Sequence, residues 1–244
     1  MKNIYNFDNA TFPGKKLKGV ERYKKLYHYT SFDSFVKIWL SKCLRFSPVS
    51  NVNDIQEKVI EASISNPEQL ELAKSFIAIR KSFKQVSFTM DYDSYMKGSM
   101  SPMMWGLYAD KTKGVCIELD YNKIQFPHNC LKGIVRYKAI LNKYNGISPN
   151  VKTESDLNRF IRKNQKELFF TKNNCWAGEN EYRVLSNEDD YLNIENAINA
   201  VYLATENSPD LVFVRKLING IVPIKIFTYA FALDNSAIPI IKEI

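Results

Sequence analysis

Leu26-Tyr27-His28-Tyr29-Thr30-Ser31 is the stretch on which the reading of this chain turns. Aromatic and β-branched residues favour a pleated, half-buried strand, so Leu26 to Thr30 reads as one. Ser31 is a natural N-cap, because its hydroxyl can accept from a free amide of a first helical turn. Beyond it Phe32, Phe35, Val36, Trp39 and Leu40 recur at helical spacing. A strand therefore feeds directly into an amphipathic helix. Cys43 to Ser47 returns as a second strand, stopped by Pro48.

Working outward toward the N-terminus, residues 1–25 read as a basic extension without periodicity. Lys15, Lys16, Lys18, Arg22, Lys24 and Lys25 crowd it, a pattern suited to a solvated arm or to phosphate contacts. In the other direction, a polar loop carries Asn51, Asn53, Asp54 and Glu57, and Asn66-Pro67 opens a longer helix. Val86 to Met90 reads as a strand, and Ser101-Pro102 opens a short helix through Trp105 and Tyr108. Gly114 to Leu119 is a strand, with Gly133 to Ile140 as its expected neighbour. Thr153 to about Phe170 is helical. Glu181 to Leu185 and Ile198 to Ala204 are strands, and Ser208-Pro209-Asp210 starts a last helix that ends near Gly220. Val222 to Phe231 and Ile238 to Ile241 close the sheet. The interleaving is irregular and the late strands are short. Together these point to an α+β domain with a mostly antiparallel sheet, one unit over 26–244.

The 244 residues are 45% hydrophobic and 25% charged, the balance of an ordinary globular protein. A net charge of +8 favours acidic partners: nucleic acid, an anionic cofactor or an acidic protein surface. Cys43, Cys116, Cys130 and Cys175 lie far apart, with no C-x-x-C pair, and the N-terminal residues lack an apolar signal core. No apolar run approaches the ~20 residues of a membrane helix. A cytoplasmic protein without membrane contact is expected. Neither a Rossmann glycine loop, nor a P-loop, nor a nucleophile elbow is present. Only His128 and Cys130 are close enough in sequence to begin a zinc site, so no metal is expected.

The residues left to carry chemistry are spread along the chain. They are His28 between its two tyrosines, Arg45, Trp105 and Tyr108 on one short helix, and Glu179-Asn180-Glu181 opening a strand that contains Arg183. The order of these blocks resembles a widespread bacterial family of uncharacterised domains. Its segments are matched by Leu26 to Thr30, Leu44-Arg45-Phe46-Ser47 and Asn53-Asp54 with Glu57. Trp105 to Asp110 with Lys113-Gly114-Val115, and Trp176 with Glu179 to Arg183, complete the match. The resemblance runs from about residue 26 to 186. Ile55 stands where that family usually has proline, and Val86 where it often has cysteine.

That family looks like a branch of the ADP-ribosyltransferase superfamily, whose recurring trio is an early-strand histidine, an aromatic residue and a late-strand glutamate. The resemblance implies a split, mostly antiparallel sheet ringed by helices, with NAD as substrate in the cleft. Glu181, Glu179, His28 and Tyr108 then become the catalytic candidates. Glu181 is expected to oppose the ribosyl cation, and Glu179 to be its alternative or to orient the acceptor. His28, Tyr29, Thr30, Arg45, Trp105, Tyr108 and Arg183 become candidate contacts to NAD. His28, Tyr108 and Glu181 are expected to line one cleft.

The implied activity is transfer of ADP-ribose to a macromolecule, protein or nucleic acid, by a toxin or phage-defence effector with a possible antitoxin partner. An NAD glycohydrolase, or a non-catalytic nucleic acid-binding or scaffold domain of the same fold, are the alternatives.

Overall fold

The structure, a computed structural model, describes residues 24–51, 70–139, 148, 150–204, 209–231 and 237–244. The basic segment through Arg22, the Asn53-Asp54 pair with Ile55 and Glu57, the Asn66-Pro67 helix start and Ser208 lie outside the described residues.

Strand β1 spans Lys25–Thr30 and runs into helix α1, Phe32–Ser41. The Ser31 hydroxyl accepts from the Ser34 amide at 3.3 Å, so the cap read from sequence forms. Helix α1 buries Phe35 and Trp39, each worth roughly 1.5–3 kcal/mol of apolar transfer. The Trp39 indole N–H also donates to the Leu217 carbonyl at 3.1 Å. Then follow β2 (Cys43–Arg45), β3 (Ser47–Pro48), α2 (Leu70–Ser82) and β4 (Lys84–Thr89). Helix α3 (Pro102–Tyr108) carries the predicted Ser101 cap and first-turn proline. It leads to β5 (Val115–Asp120), β6 (Leu131–Ile134) and β7 (Arg136–Lys138). Helices α4 (Glu154–Lys163) and α5 (Gln165–Phe169) precede β8 (Thr171–Asn173) and a 3-10 segment, Asn174–Glu179. The chain continues through β9 (Glu181–Ser186), β10 (Tyr191–Asn193), β11 (Ile198–Leu203) and α6 (Pro209–Ile218). A hairpin of β12 (Ile224–Phe231) and β13 (Ala237–Glu243) ends it.

Among the described residues the main sheet runs β13-β12-β11-β5-β1-β4-β9-β6, with β3 against β4. Its pairs are antiparallel except β11 with β12. The molecule is therefore mixed α+β with a mostly antiparallel sheet, as the sequence suggests. One expected pairing differs. The stretch from Gly133 is not the neighbour of β5: Leu131–Ile134 pairs with β9, and Arg136–Lys138 pairs in parallel with β8. The place beside β5 is taken by β1 on one side and β11 on the other.

The pleat sends alternate residues to opposite faces. On one face Leu26, Val86, Phe88, Ile117, Val184 and Val201 pack under α1 and α6. The other face is covered in two parts. Met104 and Trp105 of α3 sit with Tyr27, Tyr29 and Tyr202 over one half. Phe76, Ile79, Leu157 and Ile161 of α2 and α4 sit with Leu131 and Leu185 over the other. The seam between these two clusters falls where β1 meets β4. There only Tyr27 and Thr89 are paired, against six paired positions between β1 and β5. No helix among the described residues is long and apolar enough to cross a membrane.

Candidate active site

A cleft of about 370 Å³ fills this seam, a volume in the range of small-molecule sites. Its lining comes from both sides of the gap: Tyr27, His28 and Tyr29 of β1, and Gln85 to Thr89 of β4. Tyr108 from α3, Lys172 from β8, Glu179 and Glu181 from either side of Asn180, and Arg45 from β2 complete the charged and aromatic rim. His28, Tyr108 and Glu181 thus line one cleft although they are far apart in sequence.

They do not share a face. Thr89 is opposite both Tyr27 and Glu181, so those three emerge together. His28, next along β1, belongs by alternation to the opposite face, where its ring meets Phe88 edge-on at 5.9 Å. It borders the cleft because the gap opens the sheet there. Its Nδ1 lies 3.1 Å from the Ser87 carbonyl of the facing strand. A carbonyl only accepts, so Nδ1 carries the proton. Burial lowers the pKa of His28 below its ordinary 6.5, partly offset by the Ser87 carbonyl. The neutral ring then keeps Nε2 as a hydrogen-bond acceptor.

The two glutamates are set at the start of β9 by the Asn180 linkage. Asn180 adopts φ 46°, a left-handed conformation that Asn tolerates better than most residues. Its side-chain amide donates to the Met90 and Asp91 carbonyls at 3.1 and 3.0 Å, locking β9 to the end of β4. Gly178, just before, lies so close to α3 that a Cβ would meet the Met103 side chain at 2.9 Å. Together these contacts hold Glu179 under Tyr108.

Both carboxylates are buried, and their partners differ. Glu181 Oε1 accepts from Ser87 Oγ at 2.6 Å and Arg183 Nε at 2.7 Å. Its Oε2 accepts from Arg183 Nη2 at 2.8 Å and faces Lys172 Nζ at 3.4 Å. Burial pushes its pKa up, but Arg183, with Lys172 and Ser87, outweighs burial and holds it at about 2. Glu179 accepts from the Tyr108 hydroxyl and from Lys172 Nζ at 2.6 Å. A carboxylate offers about four acceptor positions, so Glu181 is saturated and Glu179 is not.

Not every expected contact reaches the cleft. Trp105 is fully buried, stacked on Phe227 at 5.8 Å, with its N–H on the Ser99 carbonyl at 2.9 Å. It is a core residue. Thr30 lies outside the lining, and Arg183 sits behind Glu181, with Nη1 on the Phe169 carbonyl at 2.9 Å. Tyr29 lines the cleft, anchored by its hydroxyl to the Gly98 carbonyl at 2.5 Å. Arg45 lines it from an exposed position.

Lys172 escaped the sequence reading because it sits in the polar run Thr171-Lys172-Asn173-Asn174 with nothing to mark it. Gln85, Ser87 and Thr89 did leave a signal. They alternate with Val86 and Phe88, so one face of a central strand is polar where a core should be. No group of three or more His, Cys, Asp or Glu that could hold a metal is found among the described residues.

Residues 104–184 match the model of a family described as a protein of unknown function (DUF2971). The match takes in Tyr108, Lys172, Glu179, Glu181 and Arg183, and supports an uncharacterised domain family. No curated protein and no solved structure matches the chain.

Proposed function

We propose that this chain is an ADP-ribosyltransferase-like enzyme that cleaves NAD in the β1–β4 cleft and transfers ADP-ribose to a macromolecule. The observation that carries the reading is the convergence of His28, Tyr108, Glu179 and Glu181 on one cleft in a mostly antiparallel sheet. Lys172 and Arg183 are paired with Glu179 and Glu181, while Arg45 borders the cleft apart from them, where its guanidinium suits a pyrophosphate.

The chemistry asks little beyond positioning. The bond between ribose C1′ and the nicotinamide nitrogen breaks, and its electron pair returns to the ring and quenches the pyridinium charge. No general acid is needed for such a leaving group. The ribosyl centre becomes oxocarbenium-like, as in glycoside hydrolysis, and a nearby carboxylate stabilises it. An acceptor hydroxyl or amine then bonds to C1′ and releases its proton. Sequence reasoning gives the carboxylate role to Glu181. The hydrogen-bond inventory favours Glu179 for the contact, because it retains acceptor positions for a ribose hydroxyl. Glu181, clamped by Arg183 and Ser87, then positions Lys172 and through it Glu179. His28 Nε2 suits a second sugar hydroxyl, and the Tyr108 ring suits the flat cationic nicotinamide. An effector acting on a nucleic acid or an acidic protein fits the net charge of +8.

Incubation with NAD, with and without cell extract, tests the proposal by following nicotinamide release and label on macromolecules. Release together with labelling supports transfer, and release without labelling reassigns the enzyme to hydrolysis. No release in either arm removes the proposal.

A further inference from the structure

The polar face of β4 runs the length of the cleft, from Gln85 at the Arg45 end to Thr89 at the end formed by Tyr27, Tyr29, Met104 and Tyr108. Four residues of strand separate the ends by about 13 Å. Ser87, midway, gives its one proton to Glu181, so it can only accept from Gln85 Nε2, 3.3 Å away. Among the described residues both ends carry an oxygen without a partner, Gln85 Oε1 and Thr89 Oγ1. Gln85 also borders a void of about 10 Å³, room for one water, which can satisfy it. Thr89 borders the cleft and not that void, and it is 1% exposed. A buried hydroxyl without a protein partner costs free energy, and the cleft is the side from which a bound group can supply one.

We propose that Thr89 is a specificity-determining residue whose hydroxyl binds the polar substituent of a planar ring seated at the aromatic end of the cleft. Given the NAD reading, on which this rests, that substituent is the nicotinamide carboxamide. The carboxamide offers both a donor and an acceptor, and either suits a hydroxyl. Arg45, at the far end of β4, then faces the phosphates. The orientation of the ligand follows: ring toward Thr89 and Tyr108, sugar over Ser87 and His28, anion toward Arg45.

A hydroxyl kept for a ligand has a signature that a hydroxyl kept for the fold lacks. Thr89→Val preserves shape and removes the unpaired oxygen. The variant should melt at or above the wild-type temperature without ligand, yet bind NAD roughly 5- to 100-fold more weakly by calorimetry. Thr89→Ser, which keeps the hydroxyl, should bind within about threefold of wild type. A Thr89→Val protein that melts lower while binding NAD normally overturns the inference, since the hydroxyl then serves the fold. Unchanged affinity at unchanged stability overturns it as well. If Thr89→Ser binds as weakly as Thr89→Val, methyl packing rather than the hydroxyl is responsible, and the inference falls. Wild-type protein that does not bind NAD removes the proposed function and this inference together. NAD binding indifferent to Thr89→Val removes this inference alone.

Discussion

Strand β1 has two unlike flanks. Toward β5 it is paired along its whole length, Lys25 opposite Asp120 through Thr30 opposite Val115. Toward β4 the pairing ends after one position, and the cleft begins. Each flank holds a buried carboxylate on the same face. On the closed side Glu118 accepts from the Tyr202 hydroxyl at 2.5 Å and from Lys25 Nζ at 2.8 Å. On the open side Glu181 is held by Arg183, Ser87 and Lys172. Burial and ion pairing are common to both, so neither marks a functional site. What separates them is the lost ladder, which exposes one carboxylate cluster to a space a ligand can enter.

The largest effect should come from the open side. Arg183→Met leaves the Glu181 carboxylate buried without its bidentate partner, which should cost about 3–5 kcal/mol in denaturant unfolding. Acid titration should sharpen the result. Glu181 is held at about 2 against an ordinary 4.5, so its contribution is present above about 4.5 and is lost as pH falls toward 2. In Arg183→Met the folded-state carboxyl loses its main anion-stabilising partner, so that acid-dependent loss should shrink. A variant as stable as wild type, with the same acid limb, breaks the account of the clamp.

A smaller effect belongs to the closed flank. Ile117→Val, in the core opposite His28, should cost about 0.5–1.5 kcal/mol and leave nicotinamide release unchanged. Loss of activity at preserved folding would show that the two flanks are not separate. The smallest effect concerns His28. Burial lowers its pKa below 6.5, so the unfolded chain takes up a proton first and stability falls as pH drops below about 6.5. His28→Gln should flatten that part of the stability profile. An unchanged slope would assign it to another group.

Local signals explain what was legible in the sequence. The Ser31 and Ser101 caps and the strand beginning at Glu181 are set by neighbours in sequence, and each forms where expected; on α1 Phe35 and Trp39 are buried as expected, but Leu40 is exposed and Ile38 is buried. The Gly133 stretch went to the wrong partner because strand pairing is a long-range choice that alternation alone does not encode. The gap between β1 and β4 is invisible for the same reason. Trp105 and Tyr108 sit on one short helix, yet one is core and the other borders the cleft. Spacing places them on neighbouring faces but does not say which face meets water. Lys172 acquires its meaning only when β8 brings it between two glutamates.

The central claim is that the open flank cleaves NAD through a carboxylate with room to accept. Glu181→Gln is a poor probe, because it strands the buried Arg183 guanidinium. Glu179→Gln is the direct one. Gln keeps the shape and the Tyr108 contact but removes the charge that faces the ribosyl centre. Nicotinamide release at saturating NAD should fall by roughly a hundred-fold to a thousand-fold while NAD affinity stays near wild type; the melting temperature should fall modestly, because buried Lys172 loses its 2.6 Å partner and keeps Glu181 at 3.4 Å. Release at the wild-type rate by a folded, NAD-binding Glu179→Gln protein would contradict the account.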